Sequence, residues 1–205
     1  SNFGRALEKA LGEAFSTELV AVINGGGPIS DAFSHLAFDK IIFTGSTEIG
    51  KTVMAAASEN LVPVILELGG KSPVLVHPSI DLQDVAQRLA AGKLWNAGQT
   101  CVAPDYMFLP KGKTAEFIEQ FRACVEEMYP NIAYNQDYTS IINDKQYNRL
   151  QGYLEDALNQ GAKIIEINPE HEDLTAVRKI APTLLTGVTT EMRIMKEEIF
   201  GPILP

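Results

Sequence analysis

An α/β fold is what this sequence predicts, on three observations. Short apolar runs without polar alternation, Leu19–Ile23, Lys40–Thr44 and Val62–Leu66, read as strands covered on both faces. Segments with helical spacing lie between them. The runs break at glycines, Gly25-Gly26-Gly27, Gly45 and Gly69-Gly70, which punctuate strand-to-helix turns. Strand, helix, strand in that order implies parallel pairing through right-handed crossovers.

In chain order, Phe3, Leu7, Ala10, Leu11 and Ala14 recur at helical spacing, so the chain opens on an amphipathic helix. The break at Asn24–Pro28 separates the first strand from a short helix over about 30–36. The strand Lys40–Thr44 runs into Gly45–Gly50 and a helix reaching Ala57; Val62–Leu66 follows. After Gly69-Gly70 the rhythm restarts with a strand at Pro73–Val76, a helix capped by Asp81 and running to about Trp95, and a strand at Tyr106–Leu109. From Thr114 to Tyr129 a helix places Phe117, Phe121, Cys124, Val125 and Met128 on one stripe, which makes Cys124 a core residue. A helix from about Asp144 to Gln160 stops at Gly161. Lys163–Ile167 and Ile180–Leu185 are extended, and the chain ends inside the apolar Ile203-Leu204-Pro205. Two domains are expected, residues 1–68 and 69–205, with the boundary at the paired glycines.

The 205 residues, 45% of them hydrophobic, suffice for one large or two small cores. A net charge of −9 without any basic run argues against nucleic acid as a partner. Two cysteines make no disulfide framework, so a reducing, cytoplasmic setting is expected. No apolar run reaches membrane-spanning length. His35, His77 and His171 stand far apart, and no metal site is expected.

Chemistry concentrates at Asn96-Ala-Gly-Gln-Thr-Cys101, followed by Val102-Ala103-Pro104. A cysteine after a glycine turn and shortly before a proline lies on a loop, where a thiolate is reachable. A lone loop cysteine is more often structural than reactive. Gly45-Ser-Thr-Glu-Ile-Gly-Lys-Thr52 literally fits the P-loop pattern and stands between a strand and a helix. Against a P-loop NTPase, Glu48 would put a carboxylate inside a loop wrapped round a triphosphate. No apolar strand ending in aspartate follows to hold magnesium. Helix N-terminal amides on a dinucleotide pyrophosphate fit the loop better.

Four motifs in register resemble the aldehyde dehydrogenase superfamily: Phe43-Thr-Gly-Ser-Thr-Glu-Ile-Gly50, Glu67-Leu-Gly-Gly-Lys71, Gly98-Gln-Thr-Cys101 and Glu197-Glu-Ile-Phe-Gly-Pro202. Cys101-Val-Ala-Pro-Asp-Tyr106 and Val22-Ile-Asn-Gly-Gly26 further resemble its class 3 branch, which includes coniferyl aldehyde and fatty aldehyde enzymes. The resemblance implies that residues 1–68 are the C-terminal half of a Rossmann-like NAD(P)-binding domain. It makes 69–205 the larger part of an α/β catalytic domain with a mostly parallel sheet. It implies Cys101 as nucleophile and Glu67 as general base, with NAD or NADP as cofactor. Thr44, Gly45, Ser46 and Gly50 would border the cofactor phosphates, with Ile49 and Gly27 near the adenine. Leu68 would offer its carbonyl to the carboxamide, Glu198 would bind the nicotinamide ribose, and Phe200 would flank the ring. The family's oxyanion asparagine and adenosine-ribose contacts match nothing between residues 1 and 205. A fragment, inactive by itself, is therefore expected, with apolar edges at Leu19–Ile23 and Ile199–Leu204. The parent would be a homodimer or homotetramer that oxidises an aromatic aldehyde such as coniferyl aldehyde, or a long-chain one, to the carboxylic acid through a Cys101 thiohemiacetal and thioester; a non-catalytic scaffold with the same fold is the alternative.

Overall fold

A computed structural model describes residues 2–205; Ser1 lies outside the described residues. The chain divides into two compact units, one ending at Leu68 and the other running from Gly69 to Pro205.

The first unit contains α1 (Asn2–Ala14), α2 (Gly27–Ser34), β1 (Ile41–Gly45), α3 (Thr47–Ser58) and β2 (Val64–Leu68). β1 and β2 pair in parallel, as the strand–helix–strand pattern predicts. The small core joins Ile41, Val53, Ala57 and Val62 to the partly buried Phe38, Phe43 and Val64. One expectation fails. Residues 20–26 form no regular structure, and Leu19 and Ile23 are exposed. An apolar run becomes a strand only where another strand takes up its backbone groups, and no such partner is present among the described residues. The amphipathic α1 forms, yet none of its residues is buried.

The second unit comprises β3 (Ser72–Leu75), α4 (Leu82–Leu94), β4 (Pro104–Phe108), α5 (Thr114–Met128), α6 (Asp144–Asn159), β5 (Lys163–Glu166), β6 (Thr183–Thr186), α7 (Arg193–Lys196) and β7 (Ile203–Leu204). β3 pairs with β4 and β6 with β7 in parallel, whereas β5 runs antiparallel to β6. The Met107 amide donates to the Pro205 carbonyl at 3.0 Å, linking β4 to the end of β7. Asp81 caps α4 by accepting from the Gln83 amide. Most of the stripe read on α5 is buried: Phe117, Phe121 and Val125 face the core and Cys124 packs at its margin, whereas Met128, in the last turn, is exposed.

The expected apolar edge at Ile199–Leu204 is absent. Ile199, Ile203 and Leu204 are buried, because β7 adds to β6 and the preceding turn sits on α6. Among the described residues no helix is long and apolar enough to cross a membrane. Phe121 is 1% exposed and stacks within 5.6 Å of Phe117. Phe121→Ala should therefore lower stability by about 3–5 kcal/mol, read from the shift of the urea unfolding midpoint.

Candidate active site

In the first unit, candidate residues gather at one end of the two-stranded sheet. Thr44 lies opposite Glu67 and Gly45 opposite Leu68, at the carboxyl ends of both strands. Parallel sheets bind ligands at that end, where strand-to-helix turns present backbone amides. Ser46 is extended and caps α3, its Oγ accepting from the Ile49 amide at 3.4 Å. The first-turn amides of α3 are the groups an anionic phosphate would meet. Gly50 is buried one turn further, and a Cβ there would stand 2.8 Å from Leu68 Cδ2. Glycine thus lets α3 lie close to β2. Glu67 and Ile49 are exposed. Gly27 opens α2, and a Cβ there would meet nothing within 4 Å, so no neighbour in the chain demands glycine. Lys51 lies 3.3 Å from Glu48 Oε1 on the exposed surface of α3. The lysine that a P-loop would need is engaged with its own helix.

In the second unit, Cys101 is exposed on the loop joining α4 to β4. The loop is set by backbone shape. Asn96, Ala97 and Gly98 all have positive φ, at 52°, 52° and 72°. Three left-handed residues in succession reverse the chain sharply, which glycine and asparagine tolerate and alanine resists. Gly98 lies against the Gly201 carbonyl and the Lys93 carbonyl, where a Cβ would collide. The Gln99 side chain then fixes the turn. Its Nε2 donates to the carbonyls of Asn96 and Ser140, both at 3.1 Å, and its Oε1 accepts from the Ile142 amide at 2.9 Å. A tight turn follows, the Ala103 amide donating to the Thr100 carbonyl, with Cys101 inside it. Cys124 contrasts with Cys101: it is partly buried, and burial, reinforced by Glu127, raises its thiol pKa.

The 197–202 segment is gripped from several directions. Asp105, buried at the foot of β4, forms an ion pair with Lys71, and its Oδ1 accepts from the Ile199 amide at 2.9 Å. Lys71 Nζ also donates to the carbonyls of Ile194 and Glu197, at 2.8 and 3.0 Å. Arg149 of α6 donates to the carbonyls of Glu198 and Ile199, at 2.9 and 2.8 Å. The half-buried Glu198 carboxylate accepts from the Gly70 amide at 3.3 Å. A Cβ on Gly69 would collide with that carboxylate. Burial raises the Glu198 pKa, and the Gly70 amide opposes the rise. Phe200 is half-buried and held in the left-handed region at φ 51°, an unusual state for a bulky residue.

Thr44, Gly45, Ser46, Gly50, Glu67 and Leu68 thus meet at one sheet end, and the Cys101 loop meets the segment carrying Glu198 and Phe200. Gly27 and Ile49 are exposed without a comparable constraint. Lys71 and Asp105 stand inside the recognised motifs, but sequence reasoning gave them no role. Their signal is physical: charges seldom lie buried unless paired, and pairing is invisible until the fold is known.

The family model described as "Aldehyde dehydrogenase family" matches residues 3–205. A probable coniferyl aldehyde dehydrogenase of Pseudomonas aeruginosa is 48% identical over 202 residues, covering 98% of this chain and 42% of that protein. A solved structure of Staphylococcus aureus AldH in its substrate-bound state aligns with TM-score 0.89 and 42% identity, over all of this chain and 43% of that one. Aldehyde dehydrogenase C of Pseudomonas syringae, solved as a mutant with NAD+ and octanal, aligns with TM-score 0.77 and 29% identity, over 89% of this chain and 39% of that one. The chain therefore spans less than half the length of each. The P-loop reading finds no support in these matches.

Two outcomes follow from the loop geometry. Gly98→Ala, which forces a Cβ into backbone at positive φ, should destabilise by about 1–3 kcal/mol. Gly69→Ala should cost less, since only the end of the Glu198 side chain must move; thermal unfolding of both variants checks the order. Iodoacetamide should alkylate Cys101 well before Cys124, as read by peptide mass spectrometry.

Proposed function

The chain belongs to the aldehyde dehydrogenase family, and on that footing we propose that the whole protein oxidises an aldehyde to a carboxylic acid with NAD or NADP. The observation that carries this is Cys101, an exposed thiol whose loop is locked by the Gly98–Gly201 contact and the Gln99 bonds. A nucleophile needs that combination of access and fixed position.

The residues present fit a dinucleotide. Gly45, Ser46 and the start of α3 suit its phosphates, flanked by Thr44 and Gly50, with Ile49 and Gly27 toward the adenine. Leu68 would offer its carbonyl to the carboxamide. Glu198 has one oxygen oriented by the Gly70 amide, which suits a carboxylate accepting from ribose hydroxyls, and Phe200 would border the nicotinamide. Bound NAD(P) would supply the hydride acceptor. The Cys101 thiolate adds to the aldehyde carbon and forms a thiohemiacetal; after oxidation of that carbon, the acyl group remains on Cys101 as a thioester. Glu67 then removes a proton from water, the water oxygen attacks the thioester carbonyl, and the C–S bond breaks to release acid and thiol.

For the substrate, an aromatic aldehyde such as coniferyl aldehyde, or a long-chain one, is favoured. The P. aeruginosa relative and the octanal-bound structure support that range. So do Trp95 and Val102, apolar residues of the Cys101 loop that are 73% and 74% exposed. The protein would act in the cytoplasm as a homodimer or homotetramer.

In the full-length protein, Cys101→Ala should abolish NAD(P)-dependent aldehyde oxidation and leave dinucleotide binding nearly intact. Substantial residual turnover would remove Cys101 as nucleophile. Absence of turnover from the unmodified protein, with dinucleotide still bound, would favour a non-catalytic scaffold. Glu67→Gln should preserve a burst of reduced cofactor and slow the steady state by about 10²–10⁴. Equal loss in both phases, followed by stopped-flow absorbance, would argue against a deacylation base.

A further inference from the structure

Tyr153 is a fully buried residue of α6, on the face that also sends Leu150 and Ala157 into the core. A leucine or phenylalanine would fill that place with no polar atom to satisfy. The hydroxyl is used twice. It accepts from Arg149 Nη1 at 2.8 Å and donates to Glu197 Oε2 at 2.7 Å. Two guanidinium groups also lie over the ring, Arg149 at 5.0 Å and Arg193 at 5.2 Å from its centroid. Arg193 stands 3.5 Å from Glu197 Oε1, so both oxygens of Glu197 are engaged.

Arg149 is oriented by residues on either side of it along α6. Its Nε donates to Gln146 Oε1 at 2.6 Å and its Nη1 to Tyr153. The far edge of the guanidinium reaches the segment after α7, where Nη1 and Nη2 donate to the Glu198 and Ile199 carbonyls at 2.9 and 2.8 Å. The guanidinium N–H groups form a rigid fork, so bonds that fix one edge aim the other. Tyr153 therefore holds the chain around Glu198 by two routes: the Glu197 side chain directly, and the 198 and 199 carbonyls through Arg149. Burial, reinforced by Glu197, raises the Tyr153 pKa, so its hydroxyl stays a donor at neutral pH.

We propose that Tyr153 is a positioning residue, whose hydroxyl acts through Glu197 and Arg149 to set the backbone that carries Glu198 and Phe200 to the nicotinamide end of the cofactor. This rests on the reading of Glu198 as ribose ligand and Phe200 as neighbour of the ring. Hydride transfer breaks the C–H bond of the thiohemiacetal carbon; the hydride passes to bound NAD(P), and the hydroxyl proton leaves as the thioester forms. That step tolerates little error in distance. Alkylation of Cys101 needs no dinucleotide at all.

The test compares the full-length protein, unmodified and carrying Tyr153→Phe, Arg149→Lys or Glu198→Gln. Amide hydrogen exchange is followed by mass spectrometry without cofactor. The burst of reduced cofactor is followed by stopped flow with NAD and octanal, ordinary or deuterated at C1. Tyr153→Phe removes one oxygen and keeps the ring. Exchange should quicken in the peptide covering 197–204 and stay as it was in α5. The burst should slow by about 10–10²-fold and slow further with the deuterated aldehyde, while iodoacetamide alkylates Cys101 at an unchanged rate. Arg149→Lys keeps the charge but loses the fork, and should act in the same way; it carries the expectation if Tyr153→Phe does not fold. An unchanged burst, exchange that quickens throughout the second unit, or a slowed burst indifferent to deuterium overturns the proposal. Glu198→Gln with an unchanged burst overturns the ribose reading, and the proposal with it. A slow Glu198→Gln beside a normal Tyr153→Phe overturns the proposal alone.

Discussion

The second unit of this chain depends on one buried carboxylate. Asp105 stands four residues after Cys101, and its two oxygens hold Lys71 and the Ile199 amide. Three stretches far apart in sequence, 69–71, 98–105 and 197–202, are thereby pinned to a single point at the start of β4. A buried ion pair adds little net stability, yet breaking one typically costs about 3–5 kcal/mol because the surviving charge is stranded. What Asp105 provides is therefore position. It fixes where the Glu198 backbone passes, and Arg149 fixes the same backbone from α6 through the Glu198 and Ile199 carbonyls.

Glycines complete what the charges begin. Gly98 and Gly201 meet backbone to backbone, and Gly201 lies under Leu150 of α6, where a Cβ would approach Leu150 Cδ1 to 2.6 Å. The Cys101 loop and the turn after Phe200 therefore share one close contact that any side chain would open. Around it the backbone is held in uncommon states, at Asn96, Ala97 and Phe200. Such states survive only where surrounding structure over-determines them. Here the Gln99 bonds, the Asp105 pair and the Arg149 clamp do so.

Much of this was legible in the sequence. The order of strands and helices, the parallel pairing of Ile41–Gly45 with Val64–Leu68, and the buried stripe of Phe117, Phe121 and Val125 follow from hydrophobic period and glycine punctuation. What failed, failed for want of a partner. Leu19–Ile23 has the composition of a buried strand but remains irregular and exposed, because composition proposes a strand and pairing makes one. Conversely, Ile199–Leu204 looked like an unfinished edge and proves to be core, since β7 finds β6 and the Met107 amide finds Pro205. The antiparallel β5 could not be read either, as a four-residue strand carries no sign of its direction. At the candidate site, Cys101, Glu198 and the glycine loop were visible as motifs. Lys71, Asp105, Gln99 and Arg149 act through bonds to backbone atoms, which leave no pattern in a sequence.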